Sequence, residues 1–166
     1  MSRERLPLWL SLGFVLTSLL HLALVFEQLP EPVASHFDLG GHPNGYQSKF
    51  AFALTTTLLH GMFGLLVWTA PSLIRSTRDE FLNLPNKSYW LAPERKAQTK
   101  QRLSHWTSWF CCATVGLLTG TFELVIRANL HDKQLGPQLW ILLVSYGSFM
   151  LVGGVSVALA FRLRPP

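Results

Sequence analysis

Four long stretches of this chain are almost free of charge, and polar blocks rich in turn-forming residues separate them. Pro7–Phe26, Phe50–Ile74 and Leu139–Phe161 contain no charged residue, and Trp106–Ile126 contains one, Glu123. Each reaches the roughly 20 apolar residues that carry a helix across a hydrocarbon core of about 30 Å. The pattern predicts an all-α integral membrane protein, a four-helix antiparallel bundle forming one transmembrane domain over 1–166. The spans are expected at about 7–28, 50–74, 104–127 and 138–161. Arg3 and Arg5 ahead of the first span resemble the start of a secretory leader. The apolar run is longer than a leader needs and no small-x-small site closes it, so it is expected to stay as a helix.

The polar block 29–49, LPEPVASHFDLGGHPNGYQSK, is expected to be an ordered exterior loop. Pro30-Glu31-Pro32 bars a helix. Gly40-Gly41 and Asn44-Gly45 supply positions where a positive φ is easy, and Val33–Phe37 suits a short strand or extended pass. The second helix should start near Lys49 and run past the membrane to about Leu82, because nothing in Arg75–Phe81 breaks it. The loop 75–103 then forms an elbow stiffened by Pro85 and Pro93, with Tyr89-Trp90 suited to the headgroup level. Pro93-Glu94 reads as the first turn of the helix that leads into the third span.

Charge assigns the sides. Charged residues make up only 14% of the chain, against roughly 25% in an average soluble domain. Eleven of the 14 Lys and Arg lie at the termini or in 75–103 (Arg3, Arg5, Arg75, Arg78, Lys87, Arg95, Lys96, Lys100, Arg102, Arg162, Arg164). Only Lys49, Arg127 and Lys133 lie elsewhere. The positive-inside rule puts both termini and the elbow in the cytoplasm and 29–49 outside. Topology and contact with membrane lipid therefore account for the net charge of +5, and no nucleic acid is expected as a partner. Cys111 and Cys112 point about 100° apart on a helix, which does not suit a disulfide.

Helical spacing then selects candidate residues. Thr17, His21, Leu24 and Gln28 share one face of the first span, expected to point inward. Thr57, His60/Gly61, Gly64 and Trp68 do the same on the second. Gly116, Gly120, Glu123 and Arg127 share a face of the third, where small residues admit a neighbouring helix and Glu123 can pair with Arg127. Gly147, Gly153, Gly154 and Ser156 suit close packing of the fourth. Ionisable groups within the membrane are candidates for function by default, so His21, Glu27, His60, Glu123 and Arg127 are singled out. His36, His42 and His131 could ligate zinc or copper, but their spacing matches no ligand motif. No metal is expected, and any cofactor is left open. No HExxH, GxSxG, phosphate loop or CxxC is present, so the chain is expected not to be an enzyme.

Two blocks carry a family resemblance. Leu29-Pro30 with Val33, His36-Phe37, Gly40/Gly41, Pro43, Gly45 and Ser48-Lys49 resembles the opening of a bacterial membrane-protein domain of unknown function. The same domain opens the SdpI-type immunity proteins, which protect a producing cell from its own secreted toxin and also signal. The block Asn83-Leu84-Pro85-Asn86-Lys87 to Tyr89-Trp90-Leu91-Ala92-Pro93-Glu94-Arg95 is similar to one in small relatives of that domain. The resemblance implies a multi-pass protein of the bacterial inner membrane that recognises a protein or peptide. The exterior surface would use His36, Asp38, Gly41, His42, Pro43, Gly45 and Lys49. The elbow would use Asn86, Lys87, Tyr89, Trp90, Pro93, Glu94 and Arg95. Two other readings stand beside it: a small ion or solute transporter using Glu123, Arg127 and His60, and an accessory subunit of a membrane enzyme.

Overall fold

A computed structural model describes residues 5–162; Arg3 and Arg164 of the charge count lie outside them. Helix α1 (Leu6–Val25) closes with a 3-10 turn (Phe26–Gln28), and strands β1 (Val33–Phe37) and β2 (Pro43–Gln47) follow. Helix α2 (Lys49–Ser76) leads to a 3-10 turn (Asp79–Phe81) and the single-turn α3 (Lys87–Trp90). Helix α4 (Lys96–Arg127) runs into a π turn (Ala128–Asp132), and α5 (Gln138–Arg162) ends the described chain. Four of these helices are long and apolar enough to cross a membrane, which marks a multi-pass membrane protein whose helices contact lipid.

Helices α2 and α4 form the most extensive pair, α1 packs against both, and α5 leans on α4. The pairings are specific. Trp9, early in α1, meets Trp68, late in α2, edge to face at 6.5 Å. Thr114 of α4 shares a 3.0 Å hydrogen bond with Tyr146 of α5. A Cβ on Gly116 would meet Phe14 of α1, whereas one on Gly120 would meet Leu142 of α5. The small residues of α4 thus admit two different helices. On α5 only Gly153 is closely approached, by Phe110, while Gly147 and Gly154 face open space.

Two expected faces are corrected. The buried stripe of α1 is Pro7, Ser11, Ser18 and Leu22, and Thr17, Leu24 and Gln28 are exposed. That of α2 is Phe52, Thr56, His60, Val67 and Pro71, with Thr57, Gly61 and Trp68 exposed. A helical hydroxyl can bond its own i−4 carbonyl. Buried Ser11 and Thr56 do so (to Pro7 and Phe52), and so do half-buried Thr69 (to Leu65) and exposed Ser156 (to Val152). A polar flank therefore does not mark the inward side.

Helix α2 also stops six residues before Leu82. The Thr77 amide and hydroxyl both donate to the Leu73 carbonyl (2.8 and 2.6 Å), which closes the helix at Ser76. Lys100 then donates to the Thr77 carbonyl at 2.5 Å. Asp79 pairs with Lys96 at 2.7 Å and Lys100 at 3.0 Å, which turns the chain back along α4. The hydrogen bond from Lys96, then that from Lys100, holds the Asp79 carboxyl below its ordinary value. Helix α4 begins at Lys96, so Pro93 and Glu94 belong to the preceding turn.

The loop 29–49 contains a two-stranded antiparallel sheet, so the chain is not wholly helical. Its turn is Asp38–His42: Asp38 donates to the His42 carbonyl (2.9 Å), and its own side chain accepts from Gly40 and His42 (2.8 and 2.9 Å). Asn44-Gly45, expected as a turn, lies inside β2. Glycine is needed at 45 because a Cβ there would press on the His36 ring. The hairpin roots in an apolar cluster of Leu22, Leu29, Val33, Phe52, Val125 and Ile126 that joins α1, α2 and α4. Ser48 caps α2 by accepting from Ala51 (3.1 Å), and the Glu31 carboxylate accepts from the Lys49 amide (2.9 Å) at the positive end of the helix.

Candidate functional site

Asn129 fixes the hairpin to the bundle. Its side-chain oxygen accepts from the Ala34 amide (2.8 Å), and its NH2 donates to the carbonyls of Ala34 (2.8 Å) and Val125 (2.9 Å). One amide side chain thus acts as the neighbouring strand for the free edge of β1. At the tip, Leu135 donates to the Gly41 carbonyl (2.8 Å) and Gln134 donates to that of Gly40 (3.1 Å). Gly41 has φ 81°, and a Cβ there would overlap the Leu135 carbonyl oxygen. Only glycine suits both demands.

Between this tied-down tip and the α4–α5 connection lies a groove of about 790 Å³. Asp38, Arg127, Gln134 and Gln138 line it with polar groups, and Leu124, Trp140 and Leu143 with apolar ones. Leu39 stands at its lip, 86% exposed. Of the loop residues expected to bind, Asp38 and Gly41 border the groove. His36 and His42 are exposed on the hairpin, and Pro43 and Gly45 shape β2. Lys49 is spent on structure, donating to the Glu27 carbonyl (3.1 Å) and lying over the Phe26 ring. Among the described residues, no three His, Cys, Asp or Glu side chains come together as a metal requires.

A polar ladder runs down α4 from the groove. Arg127 Nε donates to Glu123 Oε1 at 2.6 Å, and His21 Nδ1 of α1 lies 2.6 Å from Glu123 Oε2. Glu27, expected with them, does not join, because α1 has ended at Val25 and the 3-10 turn leaves Glu27 exposed. One turn below Glu123, Thr119 lies 3.2 Å from His60 Nε2 of α2. His60 is fully buried, and its Nδ1 lies 2.9 Å from the Thr56 carbonyl. A carbonyl only accepts, so Nδ1 carries the proton, and a neutral ring takes the Thr119 hydroxyl on Nε2.

The elbow is held by its own chain. Trp90 is buried and donates to the Phe161 carbonyl (2.7 Å), Asn86 donates to that of Arg162 (2.8 Å), and Thr99 donates to that of Trp90 (2.8 Å). The Arg95 guanidinium lies 4.0 Å from the centre of the Tyr89 ring. Lys87 donates to the Glu80 carbonyl (2.9 Å), while Pro93 and Glu94 are exposed. Trp90 thus anchors α5, because its N–H finds a carbonyl inside the fold. Sequence reasoning missed Asn129 and Thr119. The one signal for Asn129 is a lone amide side chain just past the end of an apolar run.

These features define a multi-pass membrane protein with a β-hairpin clasped across the ends of its helices. Residues 13–59, most of α1 through the hairpin into α2, match the model of a family described as Domain of unknown function (DUF1648). No curated protein and no solved structure matches the chain.

Proposed function

We propose that this chain is a non-enzymatic protein of the bacterial inner membrane that receives a protein or peptide partner in the groove beneath its hairpin. The spans run antiparallel as one domain, with both termini and the elbow in the cytoplasm and the hairpin outside. The bias of Lys and Arg supports that orientation, and the Trp9–Trp68 and Thr114–Tyr146 pairings support the alternation of direction. The resemblance of the loop motif to the SdpI-type opening supports an immunity or signalling role, with no part for nucleic acid. The observation that carries the reading is the groove itself. It is of ligand-binding size, its wall is pinned at Gly40 and Gly41, and its lining includes a nearly fully exposed leucine, Leu39.

The test is extraction from native membranes in mild detergent, with mass spectrometry of the co-purifying material from the wild type and Gly41→Val. The substitution moves the tip off Leu135 while leaving the spans in place. The reading expects a stoichiometric protein or peptide with the wild type and its loss in the variant. A wild-type protein that emerges alone would overturn it.

The ladder supports a second reading, a small proton or ion transporter. Thr119, Glu123 and Arg127 follow one another at i, i+4 on α4 and touch a histidine from each of two other helices. Glu123→Gln should then abolish flux in proteoliposomes. Unchanged flux in that variant excludes transport through the ladder.

A further inference from the structure

At the elbow end, a separate cavity of about 400 Å³ lies between the start of α1, the end of α2 and the first turns of α4. Arg5 and Arg75 stand at its rim, and buried Ser104 and Ser108 line its floor beside Trp68 and His105. Among the described residues no carboxylate lines it, and neither arginine has an acidic partner. Arg75 meets only hydroxyls, Ser104 at 2.6 Å and Ser72 at 3.0 Å, which leaves further guanidinium donors. Trp109 donates to His105 Nε2 at 3.2 Å, so the His105 ring that lines the cavity keeps its own N–H on Nδ1. Among the described residues the site offers two cations, an imidazole and no acid, which is the chemistry of a phosphate receptor.

Its level in the bilayer narrows the ligand. Trp9 and Trp68 meet edge to face beside it, both about half exposed, and Trp109 lies one turn along α4 from His105. Such aromatics collect at the headgroup level, and basic pockets between membrane helices hold anionic headgroups. We infer that this cavity binds the phosphodiester headgroup of an anionic phospholipid. The site is independent of the groove at the hairpin end and shares no lining residue with it.

The test is native mass spectrometry of the full-length protein titrated with phosphatidylglycerol or phosphatidylcholine, repeated with added inorganic phosphate. The wild type should retain phosphatidylglycerol preferentially, and Arg5→Gln and Arg75→Gln should each weaken retention by about fivefold. Arg75→Lys should keep most of it. Arg102→Gln, which removes an equal charge away from the cavity, should change nothing. Circular dichroism on each variant separates lost binding from lost fold, and Arg5, whose side chain makes no hydrogen bond or ion pair with the described residues, gives the cleaner case. Equal retention of both lipids would overturn the inference, as would an equal loss in Arg102→Gln. Displacement of the lipid by millimolar inorganic phosphate would reassign the cavity to a soluble phosphate compound and equally overturn it.

Discussion

Asn129→Ala isolates what ties the hairpin to the membrane helices. The substitution deletes an acceptor for the Ala34 amide and a donor to the Ala34 carbonyl, each at 2.8 Å. Ala34 is only 7% exposed, so water does not replace them without movement of β1. An orphaned buried backbone group costs about 1–3 kcal/mol, so the pair costs about 2–6 kcal/mol. The Val125 carbonyl also loses a bond but keeps the Ala128 amide, and adds little. At 1.4 kcal/mol per tenfold, the local opening equilibrium of β1 should rise between roughly 30-fold and roughly 20,000-fold. Hydrogen exchange of the Ala34 amide in detergent micelles or nanodiscs reads this directly. The amides in the middle of α2 serve as the internal reference. Asn129→Asp should fall between, since it keeps an acceptor for Ala34 and loses both donors. Unchanged protection of Ala34 in Asn129→Ala would refute the clasp.

Three further predictions rest on single contacts. Trp90→Phe leaves the Phe161 carbonyl without its indole donor and should loosen the end of α5 by about 1–2 kcal/mol, seen as faster proteolysis near Arg162. Thr119→Val removes the partner of His60 Nε2 and should lower the thermal midpoint of the purified protein by an amount equivalent to about 1–3 kcal/mol. Asp79 has a folded pKa below its unfolded one, so its pairs with Lys96 and Lys100 contribute fully above about pH 5. That contribution is lost as pH falls through the lowered folded value. Protection of the 77–82 amides, taken relative to their intrinsic exchange rates, should therefore fall in acid with the wild type and show no such pH dependence in Asp79→Asn.

The spans were legible because a bilayer imposes length and tolerates no unpaired backbone, so each crossing is written as one uncharged run. Which face of a span turns inward was not legible. Lipid is as apolar as a helix interface, and hydroxyls such as those of Thr56 and Thr69 are satisfied by their own helix on either side. Strand β2 was hidden because Pro43, Asn44 and Gly45 are poor strand formers. The strand exists because β1, Asn129 and the cluster around Val33 hold its partner. The end of α2 was hidden for a similar reason: Asp79 meets Lys96 and Lys100 only once α4 lies alongside. At the candidate sites, Glu123–Arg127 followed from spacing on one helix. The joining of His21 and the exclusion of Glu27 depended on where α1 stops.

The most direct test of partner recognition is photocrosslinking in living cells, with a photoreactive amino acid in place of Leu39. A second variant carries it in place of Leu16, a 59%-exposed position in the middle of α1. The account predicts a discrete protein or peptide adduct from position 39 and only lipid adducts from position 16. Lipid adducts alone from both positions would contradict it.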